Sequence, residues 1–230
     1  MNFNPVLVHG GGKRLTAKLN QLSIESKFVD GLRASNKDVV KIAEEVFIEF
    51  NKEILNEIKN YSINAKSITS KENNIISVKP ISEELGFVGR PSKIDTGIFE
   101  KIFKAGELPI IAPLGLNSEN QVYNVNADDI ATFVASSLNA RRLIMISDVA
   151  GVLDKDNKLI SEINSAKAAE MIASGEITQG MVVKINNAIN VANKVKGTVI
   201  IDGRVAHSIL YELLSDKGSC LLYTSDAADE

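Results

Sequence analysis

Pro5-Val6-Leu7-Val8-His9-Gly10-Gly11-Gly12 lies near the start of a 230-residue chain, and its reading decides the fold. A short apolar run ends abruptly in consecutive glycines, and Leu15, Leu19 and Leu22 then recur at helical spacing. Glycine lets a ligand approach the main chain with no Cβ in the way. Amide N–H groups in such a turn, beside a helix N-terminus, form a cradle for phosphate or carboxylate. Open α/β sheets bind their ligands at this end of a strand. The turn is neither a GxxxxGK[ST] loop nor a GxGxxG dinucleotide turn, so local pattern leaves the anion unspecified. Taken alone, the triple glycine is equally readable as a flexible turn.

Outward from this unit, short apolar runs alternate with helical patterns. A long amphipathic helix is predicted over 38–59, with Val39, Ile42, Ala43, Val46, Phe47 and Phe50 on one face. Helices follow at 95–105, 128–139, 165–174, 183–195 and 206–215, with strands at 108–112, 143–146 and 198–201. Such alternation predicts a parallel sheet covered on both faces. Residues 65–82 read as short strands and hairpins and 84–91 as turns, so 60–92 is expected to be an insertion or lid over the sheet edge.

Composition narrows the class. At 44% hydrophobic and 24% charged residues, the chain is an ordinary globular sequence. A formal charge of -3 speaks against nucleic-acid binding driven by bulk charge. No apolar run is long enough to span a membrane, so a cytoplasmic location with no membrane partner is expected. A single cysteine, Cys220, excludes a disulfide framework and a metal knuckle. The tail from Cys220 to Glu230 looks like a translated adapter sequence and is set aside from the fold, with no role for Cys220.

Several segments carry chemistry. Arg33, after the Asp30-Gly31 turn, suits bidentate binding of a carboxylate, although a surface ion pair is the plainer reading. Asn124-Val125-Asn126-Ala127-Asp128 precedes an amphipathic helix. Asn126 is expected to cap it and Asp128 to complement its dipole, while Asn124 and Asn126 alternate along a strand-like segment so that one of them faces a ligand. The turn Ser147-Asp148-Val149-Ala150-Gly151-Val152 ends an apolar strand, and suits either a nucleotide contact or an Asx cap. Lys184, early in a helix, either snorkels to solvent or stabilises charge on a transferring phosphate. His9 reads as a structural hydrogen-bonding group rather than a general base, and neither histidine has metal-ligand spacing.

In order, VHGGG (8–12), DGLR (30–33), NK (51–52), LGFVG (85–89), LPIIAPLG (108–115), YNVNAD (123–128), LIMISDVAGVL (143–153), GMVVK (180–184) and IIDGRVAHSIL (200–210) span almost the whole chain. Together they resemble the acetylglutamate kinases of the amino-acid kinase family. That resemblance implies a three-layer αβα sandwich with a mainly parallel central sheet. Residues 1–140 would form a substrate half, 141–219 a nucleotide half and 220–230 a non-native tail. The implied reaction moves the ATP γ-phosphoryl group to the side-chain carboxylate of N-acetyl-L-glutamate, in arginine biosynthesis.

By motif, Gly10 and Gly11 would donate amides to substrate and phosphoryl group, and Arg33 and Asn124 would hold the α-carboxylate region. Lys184 would stabilise the transition state, and Asp128 would orient lysines around the phosphates. Asp148, Val149, Ala150, Gly151, Val152 and Leu153, with Glu176, Ile177 and Thr178, would line the ATP site. Mg²⁺ would bridge phosphate oxygens, and a homodimer or higher homo-oligomer would form.

Departures from the family pattern carry expectations of their own. A strand, a lysine and a first glycine loop, on the order of 30 residues by βα size, are expected ahead of Val6 and are not seen. The chain as written is therefore expected to turn over weakly. The 69–72 segment lacks the family's glycine, Lys13 stands where proline is usual, and the closing strand after Gly218 is replaced. A kinase for another small acid of the same family, and a catalytically impaired ligand-binding fragment, remain the alternatives.

Overall fold

A computed structural model describes residues 3–156, 158–160, 162–177, 179–191, 194–214 and 220–223. The chain divides into two compact units, Met1–Ala131 and Thr132–Glu230.

The first unit contains β1 (Leu7–Val8), α1 (Gly12–Gln21), β2 (Phe28–Val29), β3 (Leu32–Arg33), α2 (Lys37–Asn60), β4 (Ala65–Ile68), β5 (Ile76–Pro80), β6 (Val88–Ile94), α3 (Thr96–Lys104), β7 (Leu108–Ile111), β8 (Leu114–Leu116), β9 (Val122–Val125) and the start of α4 (Ala127–Ser137). A parallel sheet of order β1-β7-β4 sits at its centre, with Ile110 and Ile111 of the middle strand fully buried. Because the strands are parallel, the Gly10 turn, Ala112 and Thr69 all follow strand ends on the same edge of the sheet. α1 and α2 pack through Leu15, Leu19, Val39, Ile42, Ala43, Val46 and Phe47, the face that helical spacing predicts. Each of these side chains larger than alanine contributes about 1.5–3 kcal/mol by leaving water. Asn36 fixes where α2 begins, its side-chain oxygen accepting from the amides of Asp38 and Val39.

The expectation that 60–92 is an inserted lid is corrected by this topology. β4 belongs to the parallel sheet, while β5 and β6 close a four-stranded barrel with β9 and β8. Proline at 91 disguised β6 as a turn. The register shifts between Ser77 and Val78, the residue facing Pro91, and a bulge is where a strand tolerates a residue with no N–H.

The second unit contains the remainder of α4, β10 (Leu143–Ser147), β11 (Glu162–Asn164), α5 (Ser165–Ala173), α6 (Gln179–Val191), β12 (Thr198–Asp202), α7 (Ser208–Leu214) and β13 (Cys220–Tyr223). Its sheet has the order β10-β12-β13-β11. β10 and β12 are parallel, β12 and β13 antiparallel, and β11 and β13 parallel. Val199, Ile200, Ile201, Ile185 and Ala188 are fully buried there. Residues 220–223, set aside with the tail, occupy a strand position, since ladder hydrogen bonds are made by backbone groups of any sequence. α6 starts at Gln179, ahead of the predicted 183, which puts Lys184 in its second turn.

Candidate active site

The glycine turn is fastened from beneath by a buried polar network. His9, 6% exposed, stands at the end of β1, and its Nδ1 lies 2.6 Å from Gly10 O. Asn51 Nδ2 sits 3.1 Å from His9 Nε2 and also donates to Ile110 O at 3.0 Å. Ser67 Oγ donates to Asn51 Oδ1 at 2.8 Å. With the amide nitrogen donating, Nε2 accepts and Nδ1 carries the proton, so the imidazole is neutral. Burial lowers the His9 pKa, the Gly10 hydrogen bond opposes that shift, and Arg14 adds to it. His9 is thus the structural group its sequence context suggested. Asn51 was legible only as part of the NK motif, with no role attached to it.

Of the three glycines, Gly11 is dictated by packing: a Cβ there would lie 2.7 Å from ring carbons of Phe47. A Cβ on Gly10 or Gly12 would meet nothing within 4 Å. α1 has no acidic residue in its first turn and no side-chain cap. Leu15 N–H donates to Gly11 O at 2.9 Å and closes the first turn of α1, which the main-chain amides of Gly10 and Gly11 precede. These are the groups that would meet an anion.

Arg33, at the end of the β2–β3 hairpin, is 8% exposed. Its Nη1 donates to Ser26 Oγ, its Nη2 donates to Thr16 Oγ1 at 2.6 Å, and its guanidinium lies 4.5 Å from the Phe28 ring centroid. Burial pulls its pKa below the usual arginine range. No carboxylate pairs with it among the described residues, so the surface ion pair that would have made Arg33 unremarkable is absent.

Thr16 and Ser35 join Arg33 to the rest of the site. Thr16 Oγ1 donates to Gly12 O at 2.9 Å. Ser35, 1% exposed, donates through Oγ to Arg33 O at 2.9 Å and receives Asn124 Nδ2 at 3.2 Å. Ser35 is also clamped by backbone: its N–H donates to Leu85 O at 3.0 Å and its carbonyl accepts from Phe87 N–H at 2.7 Å. Gly86 between them has φ +63°, and a Cβ there would lie 2.7 Å from Ser35 O. That contact explains the first glycine of LGFVG. Neither Thr16 nor Ser35 had a sequence signal beyond being a hydroxyl near Gly12 or Arg33.

Asn124 is a half-buried residue of β9, and Asn126 caps α4, its Oδ1 accepting from the amides of Asp128 at 2.7 Å and Asp129 at 3.3 Å. Asp128 therefore sits in the first turn of α4 as predicted. Gly10, Gly11, Arg33, Asn124 and Asp128 all belong to the first unit, and hydrogen bonds connect the glycine turn through Thr16, Arg33 and Ser35 to Asn124.

The remaining predicted residues belong to the second unit. Asp148 to Leu153 form the turn after β10, with Gly151 at φ +138° and Leu153 bridged to Leu159. Val152 is buried, and its carbonyl accepts from Ile160 N–H at 2.9 Å. Glu176 accepts from Ser174 Oγ at 3.0 Å and Ile177 is buried, while Thr178 lies outside the described residues. Lys184 is half-buried on α6. Gly203 N–H donates to Ser147 O at 2.8 Å, which sets the turns after β10 and β12 side by side. There Arg204 makes a forked pair with Asp202, at 2.9 and 2.7 Å, and its hydrogen bonds hold the Asp202 carboxyl down at about 2.

Residues 1–202 match the Amino acid kinase family. The chain belongs to that family. It is 54% identical over 220 residues to the acetylglutamate kinase of Pelagibacter ubique, covering 95% of this chain and 76% of the relative. It is 38% identical to the acetylglutamate kinase of Rhodospirillum centenum, over 95% and 77% of the two chains. Among solved structures, the smu.665 protein of Streptococcus mutans superposes with a TM-score of 0.85 at 26% identity, covering 96% of this chain and 86% of that one. The amino-acid kinase fold is α/β with a parallel sheet, as the alternating pattern implied.

Proposed function

We propose that the chain is an acetylglutamate kinase, transferring the ATP γ-phosphoryl group to the side-chain carboxylate of N-acetyl-L-glutamate and giving N-acetyl-L-glutamyl 5-phosphate, within arginine biosynthesis. Beside the kinship, the observation that carries the assignment of substrate to residues is Arg33: a buried guanidinium with hydroxyl partners and no acid among the described residues. A substrate carboxylate supplies the missing charge in a bidentate pair. Asn124, held by Ser35, offers its remaining amide valences to the same end of the substrate.

The opposite end would lie against Gly10 and Gly11, whose amides meet the reacting carboxylate and the phosphoryl group. One oxygen of that carboxylate attacks the γ-phosphorus as the bond to the leaving ADP oxygen breaks. Such transfers depend on positioning and on stabilising the spread of negative charge. Lys184 supplies the charge and Asp128 orients the cationic groups around the phosphates. Asp148 to Leu153, with Glu176, Ile177 and Thr178, hold the nucleotide. Mg²⁺ would arrive bound to the nucleotide and would neutralise phosphate charge during the transfer.

Further parts of the reading are a homo-oligomeric assembly, read out by light scattering, and a cytoplasmic location. No helix among the described residues is long and apolar enough to cross a membrane. The test of the reaction is trapping of the acyl phosphate with hydroxylamine. Hydroxamate is expected with N-acetyl-L-glutamate and MgATP. Turnover of an aminoadipate derivative or a nucleoside monophosphate in its place, or of none of these, contradicts the reading.

A further inference from the structure

Thr16 holds a position that the reaction as described leaves without a role. Its hydroxyl has one proton, and that proton goes to Gly12 O at 2.9 Å. The lone pairs thereby face Arg33, whose Nη2 donates to Oγ1 at 2.6 Å. One hydroxyl thus ties the main chain of the glycine turn to the guanidinium. The other constraints on Arg33 come from the hairpin side: Ser26 Oγ on Nη1 and the Phe28 ring 4.5 Å away. Among the described residues Thr16 is the side chain that hydrogen-bonds both the main chain of the glycine turn and Arg33, and it is exposed on α1 rather than buried in the core.

We infer that Thr16 is a positioning residue that selects acceptor length. Resting on the reading that the glycine turn receives the reacting carboxylate and Arg33 the other, Thr16 fixes the distance between those receivers. An acid whose carboxylates are separated by one methylene fewer or more then reaches only one of them well. Discrimination of a single methylene by a rigid site is worth about 10- to 200-fold. A hydroxyl bonded to a charged partner is a strong enough tether to sustain it.

The test is calorimetric titration of N-acetyl-L-aspartate, N-acetyl-L-glutamate and N-acetyl-L-2-aminoadipate into the chain and its Thr16→Val, Thr16→Ser and Arg33→Met variants, with thermal melting to confirm folding. Valine keeps the shape and lacks the hydroxyl. Thr16→Val is expected to weaken acetylglutamate about tenfold and to cut its preference over both neighbours by a similar factor. Thr16→Ser is expected to retain both. If Arg33→Met weakens acetylglutamate while Thr16→Val leaves the length preference intact, the inference on Thr16 is overturned alone. If the chain binds none of the acids, or Arg33→Met binds acetylglutamate as tightly as the parent, the reading beneath it falls and this inference with it.

Discussion

Arg33 is an arrangement that folding alone does not favour. A buried guanidinium loses hydration, and hydroxyls and a ring replace it only in part. An apolar side chain of similar length is free of that desolvation cost. Arg33→Met is therefore expected to leave the ligand-free melting temperature unchanged or raised while abolishing the stabilisation that acetylglutamate gives by mass action. A large fall in the ligand-free melting temperature would mean that the arginine is structural. At Gly11 the expected sign is opposite. Gly11→Ala drives a Cβ into Phe47 and should cost about 1–3 kcal/mol in urea unfolding, recovered when Phe47 is cut to leucine.

His9 makes a third residue-scale prediction, about pH. Its folded pKa lies below 6.5, so between the two values the unfolded chain binds more protons. Its contribution to stability is present above about pH 6.5 and is lost as pH falls toward the depressed folded value. A His9→Gln variant should show a shallower loss of stability on acidification, and an unchanged slope would refute this account of His9. At this scale the sequence was partly legible. Arg33 and Asn124 stood out by residue type, whereas Thr16, Ser35 and Asn51 act through partners 17, 89 and 42 residues away, which no local pattern reports.

Among elements, the segment Leu85–Phe87 matters more than its turn-like composition suggests. It pairs with Ser35 by backbone on both sides, and so holds the hydroxyl that Asn124 contacts. Gly86→Ala adds a left-handed backbone strain of about 1–3 kcal/mol and a clash with Ser35 O. It should weaken acetylglutamate binding beyond what its melting temperature explains, since the clash moves Ser35; binding in proportion to folded fraction would contradict this. Helices were the most legible elements because their apolar spacing is a local property. The β5–β6 pair was misread as a lid because closing a barrel with β8 and β9 depends on partners distant in sequence. Proline at 91 and the short runs concealed it further.

On the scale of the whole molecule, the residues assigned to acetylglutamate and those assigned to the nucleotide belong to separate units. Substitutions should therefore separate the two affinities. Lys184→Met is expected to lower kcat by about 10²–10³ with acetylglutamate affinity kept. Arg33→Met should leave nucleotide binding unchanged and remove that of the acid. The ordered motifs disclosed the family because many weak matches in sequence constrain one another. They did not disclose the geometry that makes each residue effective.

The central claim is that the Arg33 charge is matched by the α-carboxylate of N-acetyl-L-glutamate. The most direct measurement is a calorimetric cycle that pairs the parent chain and Arg33→Met with acetylglutamate and its α-carboxamide. The parent should prefer the acid by about 10- to 100-fold, the worth of a charged hydrogen-bonded pair, and Arg33→Met should bind both weakly and alike. A preference that survives in Arg33→Met, or equal binding of acid and amide by the parent chain, would contradict it.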